Sequence, residues 1–451
     1  MAAQDAAVLS RRAAQLMQSG QPREAAKLYE SLIKQFPSNA GLQMNLGMAR
    51  FQAAEHAHAI PPLERATKLD VKLTPAWLVL GLAHWKLNQP GKAIPPLERA
   101  LQLDPNNSVA RIELADAFLA TNQHTRAIEH FSILTANNPG HAKGWHGLVL
   151  GYSALSRAAF EQIDKLAPES AYWYALLGRS RLDQEQYRSA FYFFKKALEK
   201  QPDLRVAHLA LASIYRNTGH AEWAMVEEQR AAAVGAEACC DEPAKLYRQA
   251  IDYSTRSSEA LEHLEALPPG PEILELLARA HTLRGEHRRA AEILATTTEP
   301  RLQLEHARAL WRALDCAAAT PSLETLGAAF SNHASWNHMR GDCLLQQQLA
   351  EQSLPFLEKA ARLDPKLLPA RASLARAYQR LGNDRDAIPH FEAALEIDED
   401  GSLHLQLSRA FDKAGLKEKA AIMRAAFQKI ASTNRERARR ASQDFQISPP
   451  Q

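Results

Sequence analysis

PPLERATKLD at 61–70 and PPLERALQLD at 95–104 are nearly the same text, set 34 positions apart. The interval recurs elsewhere. Ala25, Ala59, Ala93 and Ala127 keep it, as do Leu46, Leu80, Leu114 and Leu148, and Pro37, Val71, Pro105 and Pro139. Registers that stay in step mark a duplicated unit, and a period of about 20 to 50 residues marks a solenoid or array.

One unit reads as two short helices. TPAWLVLGLAHWKL at 74–87 carries apolar side chains at helical spacing, and Asn88 to Gly91 break the pattern. AIPPLERALQL follows at 93–103, closed by Asp104 and Pro105, because proline cannot continue a helix interior. Pro95 and Pro96 are expected in the first turn of this second helix, where backbone N–H groups have no partner to lose. Gly81 and Ala93 would let the two backbones approach while Leu80, Leu97 and Trp77 fill the space around them. One hairpin cannot bury its apolar faces alone, so neighbours must stack and share a core.

The unit resembles the tetratricopeptide repeat. At 74–107 the matching residues are Trp77, Leu80, Gly81, His84, Ala93, Leu97, Ala100 and Pro105. His84 departs from the usual aromatic, although Trp85 stands beside it. At 368–400 they are Leu374, Ala375, Tyr378, Ala387, Phe391 and Ala394. The resemblance implies an all-α, right-handed α-solenoid of stacked antiparallel helix pairs, a superhelix of about twelve to thirteen units with degenerate middle ones. Four full units fill 6–141. A fifth, at 142–170, keeps Trp145, Leu148 and Tyr152 with a shortened hairpin loop, and good units return at 171–204 and 205–235. Hairpins remain readable around 242–267, 271–299 and 301–330. The expected organisation is an N-terminal array at 6–235, degenerate helical repeats at 236–333, a C-terminal array at 334–427 and a basic tail at 428–451. The tail extends the last helix, and its final Ser448, Pro449 and Pro450 are expected to fray. No Gly/Ser linker separates the blocks, so one continuous superhelix is expected.

The bulk numbers agree with a folded helical chain. Of 451 residues, 46% are hydrophobic and 23% charged, outside the range of disordered sequences. A net charge of +3 is small for this size and does not argue for a nucleic-acid binder, whose cations should gather in a stripe. No apolar run reaches the roughly 18 residues that span a bilayer. Cys239, Cys240, Cys316 and Cys343 form neither a disulfide framework nor a zinc pattern, so they read as buried or bystander thiols. MAAQDAAVLS at the start lacks a basic and then apolar segment. The compartment is cytoplasmic by default, or exported or periplasmic if a signal was trimmed before these small residues.

Function is expected where the resemblance puts it, on the concave surface that first helices line in this family. The facing positions come one, five and eight places after the large residue that opens the motif. They are Met44, Met48 and Phe51, then Leu78, Leu82 and Trp85, then Ile112, Asp116 and Leu119. All but Asp116 are apolar, which suits an amphipathic helix or extended peptide unless tight winding buries the stripe as core. Further along the face turns polar. Arg179, Arg216, Arg376, Arg380 and Arg409 there offer bidentate pairs to carboxylates, or simply a solvated face. The Lys and Asn clamp of some relatives is lacking: Asn45 matches, but Ser10, Ala14 and Pro75 replace its other members.

The sequence holds no glycine-rich phosphate loop, His-Glu-x-x-His, Gly-x-Ser-x-Gly or Cys-x-x-Cys. His338 and Asp342 lie one turn apart and read as a surface contact. No catalytic residue, metal or cofactor is expected. The expected function is a non-catalytic scaffold that binds other proteins by peptide or helix recognition, without nucleic acid or membrane insertion. Two alternatives stand beside it: a regulatory or targeting subunit of an enzyme complex, for example with a glycosyltransferase, and a self-assembling structural subunit.

Overall fold

The computed structural model of the chain describes residues 2–234, 241–444 and 446–450; Cys239 and Cys240 lie outside them. Among the described residues every regular element is a helix. Four hairpins come first. They are α1 (Ala2–Gln18) with α2 (Pro22–Gln35), α3 (Ala40–Gln52) with α4 (His56–Leu69), α5 (Thr74–Lys86) with α6 (Pro90–Leu103), and α7 (Ser108–Ala120) with α8 (His124–Asn137). A single long helix, α9 (Ala142–Leu166), follows. Two hairpins come next, α10 (Ala171–Asp183) with α11 (Tyr187–Lys200) and α12 (Arg205–Asn217) with α13 (Ala221–Ala233), and then a second long helix, α14 (Glu242–Glu265). The rest pairs α15 (Pro271–Leu283) with α16 (His287–Leu294), and α17 (Pro300–Arg312) with α18 (Cys316–Thr325) and the short α19 (Gly327–Phe330). Last come α20 (Ala334–Gln346) with α21 (Ala350–Leu363), α22 (Leu368–Arg380) with α23 (Asp384–Ala394), and α24 (Ser402–Lys413) with α25 (Lys417–Asp444). These elements form two compact units, residues 1–159 with 248–268 and residues 160–247 with 269–451. This division follows contact in space, whereas the blocks read from the sequence follow the strength of the motif.

The hairpin turns explain the period. Gly20, Ala54, Asn88 and Asn122, spaced at the repeat interval, hold φ between 56° and 74°. The chain reverses there through one left-handed residue, which L side chains adopt at a cost. Inside the hairpin, α5 and α6 touch through Gly81: an added Cβ would lie 2.5 Å from Leu97 Cγ. Ala93 and Leu97 are fully buried, as expected for a close crossing filled by a leucine.

Four expectations are corrected. First, α6 begins at Pro90, so Pro95 and Pro96 lie inside the helix and not in its first turn; Pro61 and Pro62 do the same in α4. Pro96 is buried, so its ring fills core where a hydrogen bond is lost.

Second, neither 142–170 nor 242–267 is a hairpin. Each is one unbroken helix: SALSR at 153–157 and the middle of α14 contain no glycine or proline, and their serines stay within the helix. The two helices instead pair with each other across the sequence. Trp145 stacks on His263 at 4.2 Å and Tyr152 on Tyr253 at 6.3 Å. Ser153 meets Ser257 at 2.8 Å, and Ser156 Oγ donates to the Ala250 carbonyl at 2.8 Å. As one residue number rises the other falls, so the pair is antiparallel and takes the place of a hairpin.

Third, Cys316 and Cys343 are bonded as a disulfide, with Cα atoms 5.0 Å apart. Each sits in a core with Leu304, Ala319, Leu323, Trp336 and Met339. Distance along the chain hid a pairing that repeat stacking creates.

Fourth, the segment ending at Pro450 does not fray. The Ser448 carbonyl accepts a hydrogen bond from Tyr215 Oη at 2.6 Å.

Candidate functional site

The apolar stripe lies on α3, α5 and α7, in the first compact unit. Met44, Met48, Phe51, Leu78, Leu82, Trp85, Ile112 and Leu119 are all half-buried. Their neighbours on the opposite side of the same helices, Leu46, Leu80, Ala83, Leu114 and Phe118, are buried. The contrast follows from helical geometry: the hairpin core claims one face, and the stripe keeps part of its surface open. Met48 and Phe51 rest against a core of Ala59, Leu63, Val79 and Leu80, and the Phe51 ring tilts against His56 at 5.0 Å.

The far end of the stripe is charged. Asp116 pairs with Lys143 at 3.0 Å. Burial raises the Glu113 carboxyl above its usual range; the Asp116 charge adds to this, and Lys86 and Lys143 oppose it. An apolar track therefore ends in a compact group of two acids and two lysines.

The five arginines expected on the polar part of the face lie in the second unit. Arg179 pairs with Asp183 at 2.9 Å, and Arg216 pairs with Glu228. Arg376 donates to Gln406 Oε1 at 3.3 Å, Arg380 donates to the Leu345 carbonyl, and Arg409 is exposed. Four of the five therefore already hold acceptors within the chain.

A polar knot that the sequence reading missed joins three first helices. Trp311 Nε1 (α17) and Ser373 Oγ (α22) each donate to Asp342 (α20) at 2.8 Å, and Gln346 Nε2 donates at 3.0 Å. His338 is buried, edge-on to Trp311 at 5.2 Å and 3.4 Å from Ser373 Oγ. It is not the surface contact expected of it. Burial lowers its imidazole below the ordinary value; Asp342 opposes this shift and Arg376 adds to it. The Ser373 proton goes to the carboxylate and not to the ring, so the trio is not arranged as a nucleophile and its base. The knot floors a cavity of about 460 Å³ whose wall includes Arg376 and Asp398. Among the described residues no group of three or more His, Cys, Asp or Glu could hold a metal ion, and no helix is long and apolar enough to cross a membrane.

Stacked helical hairpins with this turn spacing and this glycine-to-leucine crossing define a helical-repeat protein. Three family models, each described as tetratricopeptide repeat, match residues 84–149, residues 11–71 and 304–367, and residues 370–405. The chain belongs to the tetratricopeptide-repeat family, whose repeats form protein-interaction scaffolds. No curated protein matches it. Among solved structures, MamA 41-end from Desulfovibrio magneticus RS-1 is 18% identical with a TM-score of 0.32, over 36% of this chain and 95% of that one. YrrB, described as a TPR protein with an unusual peptide-binding site, is 20% identical with a TM-score of 0.31, over 44% and 88%. MamA from MSR-1 is 22% identical with a TM-score of 0.31, over 37% and 96%.

Proposed function

We propose that this chain is a non-catalytic scaffold that takes a peptide or amphipathic helix of a partner protein along the stripe on α3, α5 and α7. The observation that supports it is eight apolar residues in register on three consecutive first helices, each half-buried where the core side is closed. Methionines at two of those positions let the surface adapt to its guest. Asp116, Glu113, Lys86 and Lys143 would fix the guest's direction by its charges, a role that sets register more than affinity. The arginine face of the second unit is a further candidate for acidic segments. Its arginines would have to exchange an internal partner for an external one, which favours the apolar stripe as the principal seat.

The test selects binding peptides from a random library against the intact chain, then measures them against Leu82→Glu with Trp85→Glu. Placing two carboxylates in the track should weaken selected peptides by about a hundredfold or more, with helicity unchanged by circular dichroism. Peptides that bind the double variant as well as the parent would remove the stripe as the site.

A further inference from the structure

Residues 446–450 occupy a groove between two second helices, a face different from the stripe. The segment runs alongside α11 in the same direction. Gln446 and Ile447 share a cavity with Tyr187 and Ser189 at the start of α11 and with Thr218 and His220 in the α12–α13 turn. Ser448 is held at mid-helix. Its carbonyl accepts from Tyr215 Oη at 2.6 Å, and its hydroxyl lies 3.5 Å from Lys195 Nζ. Pro449 and Pro450 reach the cavity formed by Phe191, Leu198, Pro202 and Arg230. Ile447, Ser448 and Pro450 are half-buried while Gln446 and Pro449 are exposed, so part of the strip rests on the surface and part faces water.

The groove is built for such a strip. Its floor is Tyr215, 1% exposed, packed edge-on to Trp223 at 5.6 Å and against Phe191 at 5.8 Å. Burial, with the Glu227 charge adding to it, pushes the Tyr215 phenol up to about 12, so it remains a donor at every physiological pH. Lining the same cavity, His208 and Glu227 are buried and meet at 2.5 Å, and Arg230 pairs with Glu227 at 3.0 Å. At the matching places the α5–α6 hairpin carries Trp77 and the buried Pro96, whereas the α7–α8 hairpin carries a second polar pair, Arg111 with His130 at 3.3 Å. Burying a polar pair beside an aromatic floor costs desolvation that plain packing does not, and its hydrogen bonds offset that cost. Proline-containing strips lose little entropy on binding and favour aromatic-lined grooves that offer a donor to their carbonyls.

We propose that the groove between α11 and α13 is a docking site for extended Ser-Pro-Pro segments, and that residues 446–450 of the same chain are its resident occupant. Any partner for this face must then be a strip of the same chemistry that displaces the resident one, which competes at the high effective concentration of a tethered ligand.

A fluorescent peptide of residues 445–451 tests this by anisotropy against the full chain and a chain ending at Asp444. The shortened chain should bind the peptide, and the full chain should bind it about tenfold more weakly or worse, because only its open fraction is competent. Tyr215→Phe in the shortened chain should weaken binding by roughly fivefold through loss of the carbonyl donor. If shortening costs helicity, Ile447→Asp in the full chain replaces it and should open the groove to the peptide by about tenfold. Three results overturn the proposal. They are no binding to the folded shortened chain at about millimolar peptide, equal binding to full and shortened chains, or a dimer by light scattering that shortening converts to monomer. The last would put the segment in a second copy's groove.

Discussion

Leu314 closes the α17–α18 turn at φ 62° with 80% of its surface exposed. A leucine gains nothing from that exposure and pays for a left-handed backbone. Leu314→Gly should therefore stabilise the second unit by about 1 kcal/mol, read as a higher midpoint in urea. His338 works the other way with pH. Its folded-state affinity for a proton is lowered by burial, so below its ordinary value of about 6.5 the unfolded chain takes up a proton that the folded chain resists. The stability it contributes is present above that value and is lost as pH falls. Thermal midpoints at about pH 7 and pH 5 should therefore differ less for His338→Gln than for the parent. The knot around His338 was partly legible. Trp311, Asp342 and Ser373 stand 31 residues apart, a repeat less one helical turn, so they climb a diagonal across three first helices. A search at the repeat interval alone passes over such a diagonal.

At the scale of elements, the crossing of first and second helices is the feature most open to reading from sequence. Gly81, Ala93 and Leu97 announced it, and Gly341 against Leu357 repeats it far along the chain. Gly81→Val should cost about 1–3 kcal/mol by overpacking, measured by denaturant unfolding, with a rise in midpoint as the outcome that contradicts it. The disulfide was not legible, because spacing along the chain says nothing about which two helices stacking will bring together. Its loop of 27 residues gives Cys343→Ser an expected loss of about 3 kcal/mol. A thiol reductant should reproduce that loss in the parent and leave the variant unchanged. α9 and α14 were misread for a different reason. The residues of a first helix are present in α9, Trp145 and Tyr152 among them, but no glycine or proline follows Tyr152 before Leu166, and the helix runs on.

At the scale of the molecule, the α9–α14 pair breaks the rule that a repeat touches only its neighbours in sequence. Its hydrogen bonds join residues 94 to 108 positions apart. Tyr253→Asp should destabilise this pair by about 2 kcal/mol. Hydrogen exchange should then quicken in 142–159 and in 248–265 together, while α3 and α4 keep their protection. Loss confined to α14 would mean the pairing carries little energy.

The same pair sets an order of events during synthesis. The face of α9 that Trp145 and Tyr152 present has no cover until His263 and Tyr253 have been made. At about 5–20 residues per second, translation leaves that aromatic surface bare for on the order of ten seconds. A nascent chain with such a wait is one that a chaperone near the ribosome can hold, and slow codons placed between α9 and α14 would lengthen the exposure without altering a single residue of the finished protein.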